Sequence, residues 1–364
     1  EALCALEYAP DHPLILIWKS FLRKDPSLIL TVEKNSPAFV FPYRPETKNV
    51  LKWVISVSNH WKFKYFLALN YLALQKDKEA VELLKSCAQM PDFAPFYLLR
   101  SDLLKASDPD AAEKDIEKAI ALDSREWRAW SRLIGLFESM GDYTKELQAS
   151  ERAYSLFSQN YTIGLQYAKS LLHNKKFKNC ITILNTIHIL PFEGASQGKE
   201  IYEQAYISWG MELMHKKQYL QAIRLFEKSK EWPENLGSGK PFEPDTRLQD
   251  YLIVLCHEQL RNKKEASAIR DSIIQYTMNH LDYPSMNHIL GIWCLDDNNN
   301  PDQITHISDL LGQSVYGTSP SIRTVLRLAS GSGEVKKEGM SSAETDQNFH
   351  LIMEVSSFRK QILP

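Results

Sequence analysis

One spacing recurs along this chain and limits what it can fold into. Around Ala222, the small residue Gly210 precedes by twelve positions, the bulky Phe226 follows by four, and Pro233 follows by eleven. Ala80 repeats the pattern with Ala68, Leu84 and Pro91, and Cys180 repeats it with Ala168, Leu184 and Pro191. Residues 204–234 read as two short amphipathic helices joined by a tight turn and ended by the proline. The twelve-residue spacing brings two small residues face to face across the hairpin. Phe226, one helical turn past Ala222, covers the joint. A hairpin this small cannot bury its own apolar face, so it requires neighbours of the same kind.

Weaker copies fill the gaps. Ala112, Glu146 and Ala266 stand at the reference point, so the series 80, 112, 146, 180, 222 and 266 has separations of 32, 34, 34, 42 and 44. A period near 34, with WG…A…F over 209–226 and GDY at 141–143, resembles the tetratricopeptide repeat over roughly residues 60–280. The resemblance implies an all-α fold, an α-α superhelix or solenoid of about eight helix hairpins. Arg100 and Ile134 stand where a small residue is expected. Their two hairpins are expected to pack more loosely or in a shifted register.

The pattern divides the chain into an N-terminal helical segment (1–58), the repeats (59–280), terminal helices (281–330, the last over 319–329), and a linker with a final helix (331–364). Within the first segment, SPAFVFPYRPE at 36–46 carries three prolines and cannot be helical. It is expected to lie extended on the repeats, anchored by Phe39, Phe41 and Tyr43. Residues 192–200 and 233–245, rich in Gly, Pro and Ser, read as loops that account for the longer period after Pro191. Residues 331–347 are polar, and 349–363 carry apolar residues at helical spacing. That helix either docks back as a cap or is a handle for another domain. The opening EALCALEYAP reads as the end of a helix already under way, as in a piece of a longer protein.

A second resemblance rests on Phe39, Val40, Phe41, Pro42, Tyr43, Arg44, Glu46, Trp53, Trp61, Lys62 and Tyr65, with residues 232–241. These residues resemble a family of long bacterial proteins. In that family a galactose-mutarotase-like β-sandwich domain of unknown function precedes tetratricopeptide repeats. The resemblance implies that any sugar chemistry lies outside this chain, with carbohydrate involved only indirectly.

A net charge of −2 argues against nucleic acid as the main partner, because neutralising phosphates takes a basic surface. No run of 18 apolar residues is present to span a membrane. The five cysteines, without a CxxC pair, read as buried free thiols, and their odd number favours a reducing compartment. GASQGKE at 194–200 and GSGKP at 237–241 miss the phosphate-loop spacing and its Ser or Thr. His173 and His215 each end a first helix beside lysines, which a helix C-terminus explains. DDNNNPDQ at 296–303 lacks the alternating ligands and distal glutamate of a calcium loop. No catalytic residue, metal or cofactor follows from these patterns.

In stacked hairpins the first helices line the concave side. The repeat resemblance implies that Tyr65, Leu69, Tyr97, Arg128, Ser131, Arg132, Gln166, Lys169 and His173 face a peptide groove. Tyr65 and Leu69 occupy the positions where some repeats carry a carboxylate-clamping Lys and Asn, so that clamp is not expected. Arg128 and Arg132 share a face, either to grip an acidic segment or to pair with Glu126 or a neighbouring helix. The sequence thus points to a non-catalytic scaffold for a protein or peptide, or for neighbouring domains of its own chain. The alternative is a rigid accessory to a carbohydrate-active domain upstream.

Overall fold

The computed structural model describes residues 11–283, 285–313, 323, 327 and 349–362. Their regular structure is helical throughout. The first helices are α1 (Pro13–Arg23), α2 (Ile29–Lys34) and α3 (Thr47–Val57). Pairs follow: α4 (Trp61–Ala73) with α5 (Asp77–Ser86), α6 (Ala94–Leu104) with α7 (Pro109–Leu122), and α8 (Trp127–Met140) with α9 (Tyr143–Leu156). Next come α10 (Tyr161–His173) with α11 (Phe177–Thr186), and α12 (Gln197–His215) with α13 (Tyr219–Ser229). The series continues with α14 (Arg247–Gln259) and α15 (Lys263–Asn279), α16 (His288–Asp297) and α17 (Pro301–Gln313), and ends at α18 (Phe349–Ile362). The chain forms two compact units, residues 1–170 and 171–364, with the boundary inside α10. Of the expected helix over 319–329 only residues 323 and 327 are described, and Cys4 lies outside the described residues.

All six reference positions, Ala80, Ala112, Glu146, Cys180, Ala222 and Ala266, are completely buried. At the best-formed hairpin, the Phe226 ring lies directly on Gly210. A Cβ built at Gly210 would stand 2.4 Å from the ring, so the small residue accommodates the phenylalanine itself.

Outside α6–α7, the turns inside the hairpins share one geometry. Gln75, Gly141, Lys175, Lys217, Arg261 and Asn299 all adopt left-handed backbone, with φ between 54° and 70°. The amide after each one donates back into the first helix: Lys76 to Tyr71, Asp142 to Phe137, Lys176 to Leu171, Gln218 to Leu213, Asn262 to His257 and Asn300 to Leu295. This is the Schellman closure, which satisfies carbonyls that the helix end would orphan. It stops each first helix and turns the chain into the second.

Neither anomalous hairpin is loose. The α6–α7 pair packs as closely as α12–α13, and α8–α9 as closely as α14–α15. Ala112 and Glu146 stay buried, so the register holds. Arg100 is accommodated chemically. Its guanidinium forks onto Asp115 at 2.7 and 2.6 Å, donates to the Leu84 and Ala88 carbonyls, and stacks on Phe96 and Tyr97. Ile134 is offset by size, since Ser150 stands four past its reference point where Phe226 stands in the best copy.

The extended segment is reversed from expectation. Pro37, Val40 and Pro42 are buried, whereas Phe39, Phe41 and Tyr43 are 87%, 65% and 65% exposed. Alternation puts one set inside, and buried Asn70 selects it by donating to the Pro42 and Arg44 carbonyls at 3.1 and 2.9 Å. Lys62 ties down the preceding turn through the Glu33 and Asn35 carbonyls.

In the second unit, α12 begins at Gln197, so Gly198 and Lys199 lie in a helix and are buried, not in the expected loop. The second insertion is pinned to the end of α11 and the segment after it. The Ile189 amide donates to the Asn235 carbonyl, and the Asn235 side chain donates to the Leu184 and Ile187 carbonyls. Gly237, at φ 70°, lets the Ile189 carbonyl approach to 2.9 Å of where its Cβ would be.

A buried polar knot then fixes α14 to α15 and α16. Arg247 forks onto Asp245 and reaches Thr277 at 3.0 Å, and Asn287 donates to Asp245. Beside it, the buried His288 ring accepts from the Ser285 amide at 3.0 Å and meets the His280 carbonyl at 3.1 Å through its other nitrogen. These contacts suit a neutral ring, and burial, with nearby Arg247, pushes His288 down to about 4 from 6.5. Because the folded value is the lower one, the unfolded chain protonates first as pH falls. Stability is therefore full above pH 6.5 and is lost toward pH 4. The expected loss is about 2–3 kcal/mol. Urea unfolding across that range should show this slope, and His288→Asn should flatten it.

Candidate functional site

The nine sequence-chosen residues separate into three groups. Tyr65 and Tyr97 are core residues: Tyr65 packs against Phe93 and Phe96, and the Tyr97 hydroxyl donates to the Pro91 carbonyl at 2.9 Å. They are withdrawn from any ligand-facing surface. Leu69 is half-buried and packs against the same core.

The other first-helix residues of this unit form a polar ladder from helix to helix. Arg132 on α8 donates to Asp102 on α6 at 2.9 Å. Gln166 on α10 donates to the Ser131 carbonyl at 3.1 Å, and Lys169 pairs with Glu138 at 2.6 Å. Arg128 is more open, 60% exposed, lying over the Trp127 ring and 3.3 Å from Glu126. Arg128 and Arg132 thus share a face, but each already has a carboxylate beside it.

His173 belongs to the second unit and to a different arrangement. A cleft of about 730 Å³ is lined there by Leu172, His173 and Phe177, by Met211 and His215 of α12, and by Leu351 of α18. The sequence left open whether the last helix docks. It does. Ile352, Val355 and Phe358 are buried in one core with residues of α12 to α17, and α14 is the helix that α18 packs against most closely. His215 on α12 stacks edge-on with Phe358 at 5.2 Å and stands 3.6 Å from Glu354. At the other end, Arg359 donates to Asp296 and Asp297 at 2.7 Å each and lies over Trp293. The first-helix face of this unit therefore seats an amphipathic helix and leaves an open cleft along it. The apolar period of 349–363 was readable in the sequence, but its seat was not.

A neighbouring cleft of about 510 Å³ lies at the hairpin turns, between residues 175–179 and the 212–221 turn. Lys175, Lys176, Lys178, Lys216 and Trp209 line it, with Lys178 over the Trp209 ring at 5.4 Å.

Among the described residues no three potential metal ligands cluster, and no helix is long and apolar enough to cross a membrane. The thiols of Cys87, Cys180, Cys256 and Cys294 are free and buried. Burial pushes Cys180 and Cys256 up to about 12, so these two are packing groups and not nucleophiles.

No family model matches the chain, and no curated protein matches it. Among solved structures it is similar in fold to MamA, at 18% identity over 38% of this chain and 83% of that one, with a TM-score of 0.35. It is also similar to the Naa15/Naa10 structure bound to HypK-THB, at 14% identity over 87% and 45%, with a TM-score of 0.46. The P58(IPK) TPR domain is a third, at 15% identity over 79% and 92%, with a TM-score of 0.23. With its reference positions buried and six of its hairpin turns closed alike, the chain has an α-α superhelical fold of the tetratricopeptide type.

Proposed function

We propose that this chain is a non-catalytic scaffold that binds a protein or peptide, or a neighbouring domain of its own chain, on its first-helix faces. The observation that supports this reading is the seat of α18. Three first helices hold an amphipathic helix, with an open cleft beside it. Helix-in-groove binding uses this chemistry, with apolar anchors at helical spacing and polar residues at the rim. In the first unit, Arg128, Ser131, Arg132, Gln166 and Lys169 are the corresponding ligand-facing candidates, with Leu69 at their margin. His173 is the candidate in the second unit.

The test is a pull-down with the intact chain, an Arg128→Ala/Arg132→Ala version and a Ser208→Glu version, Ser208 being at the second-unit cleft. Loss of a partner with either variant, at unchanged thermal stability, is the expected result. A partner retained by both would sink the groove assignment.

A second reading, an accessory to a carbohydrate-active domain, has one observation in its favour. Phe39, Phe41 and Tyr43 are exposed on a backbone held rigid from below. Oligosaccharide titration that leaves the chain's fluorescence unchanged, with or without an upstream domain, would remove it.

A further inference from the structure

The two clefts of the second unit adjoin, since Lys175, Phe177 and Glu212 line both. Their chemistry differs sharply. The one beside α18 gathers Leu172, Phe177, Met211 and Leu351 on its apolar side, with Glu212 and Glu354 among its polar lining. The one at the turns is ringed by Lys175, Lys176, Lys178 and Lys216, with amide groups from Asn179, Gln218 and Gln221. Glu212 is the single carboxylate among the residues lining the turn cleft, and Lys216 holds it in an ion pair. The four lysines are exposed, and among the described residues Lys175, Lys176 and Lys178 have no carboxylate partner.

The positive edge continues past the cleft. Lys217 follows in the same turn, and the Tyr219 hydroxyl reaches Gln259 beside the next turn, which presents Arg261, Lys263 and Lys264. The second helices here lack the aspartate caps of α7 and α9, as does α5, which follows Lys76. In the first unit, Asp108 and Asp142 cap α7 and α9 through their side chains. Lys176, Gln218 and Asn262 stand at the same place before α11, α13 and α15 and make no side-chain cap. Lys175, Lys176, Lys216 and Lys217 follow the C-termini of α10 and α12, where the helix dipole favours cations, so this edge gathers positive charge with no aspartate cap to offset it.

Resting on the scaffold reading above, we propose that the second unit takes a peptide with an apolar anchor beside an acidic stretch. The anchor enters the cleft along α18, and the carboxylates run over the lysine edge. Clustered lysines attract an anionic chain over roughly a Debye length, about 8 Å at physiological salt. The apolar cleft next to them selects a polypeptide over a bare polyanion.

The experiment uses the intact chain and a short fluorescein-labelled peptide with a Leu-Phe anchor followed by consecutive glutamates. Its glutamine counterpart, inorganic phosphate and phosphatidylserine vesicles are run alongside. The acidic peptide should bind at least about tenfold more tightly than the glutamine one, with the difference shrinking in high salt. Lys175→Glu/Lys178→Glu/Lys216→Glu should abolish that difference, and the exposed Lys114→Glu should not. Equal binding of both peptides, insensitive to the triple substitution, would overturn the acidic assignment while supporting the cleft as a peptide site. Binding to neither peptide, or charge-dependent binding to vesicles alone, would overturn the proposal.

Discussion

Arg100→Ala is expected to destabilise the first unit by about 3–5 kcal/mol, the cost of leaving one member of a buried ion pair alone. Both side chains are nearly inaccessible, at 6% and 3%. The substitution strands the Asp115 carboxylate and also removes the donor to the Ala88 carbonyl and one of the donors to the Leu84 carbonyl at the end of the preceding hairpin. The guanidinium therefore joins two successive repeats as well as the two helices of its own. Arg100→Leu/Asp115→Leu removes both charges and should recover much of the loss, because an apolar pair of similar volume replaces a buried ion pair at little cost. Urea unfolding of the single and double variants reads both effects. A loss below about 1 kcal/mol for Arg100→Ala would mean that the pair is solvated and not a core element.

Gly210→Trp is expected to cost the second unit about 3 kcal/mol or more, at the upper end of overpacking penalties. Even a methyl group would overlap the Phe226 ring, and Phe226 is fully buried with nowhere to move. Gly210→Ala should cost less, and Gly210→Ala/Phe226→Leu should regain part of it. Thermal unfolding of these three variants checks the order. A tryptophan variant as stable as the parent would contradict the hairpin geometry on which the repeat assignment stands.

Much of the fold is legible because the repeat is written in residue size. A small residue at one position and a large one at another are volumes that must fit, and Gly210 with Phe226 fit as their spacing implies. Arg100 was not legible as a core residue, since its accommodation depends on a side chain reaching across a helix pair. The available signal was Asp115, a carboxylate on the buried face of α7. The FVFPYR segment shows a different limit. Alternation announces two faces but does not say which is inside, and buried Asn70 decided it from a helix away. At 194–200, glycine and serine suggested a loop, yet Gly198 is in a helix, where a Cβ would stand 3.2 and 3.3 Å from Leu236 and Ile189. Gly291 went unnoticed, although a Cβ there would stand 2.3 Å from Thr277.

The candidate site was less legible than the fold. Counting to the middle of a first helix found Arg128 and Arg132, but also Tyr65 and Tyr97, whose rings fill the space between hairpins. Helical spacing alone does not separate a groove position from a core position when both carry aromatics. The seat of α18 needed the tertiary structure, because it is assembled from residues of three first helices far apart in the sequence.

Site-specific photo-crosslinking tests the central claim most directly. A benzophenone side chain is placed at Ser208, in the first-helix cleft, or at the exposed Lys228 on the second helix α13. The account predicts crosslinks from position 208 to a second polypeptide, and few from position 228. Equal yields from the two positions, or crosslinks from 228 alone, would place any binding on the opposite face and contradict it.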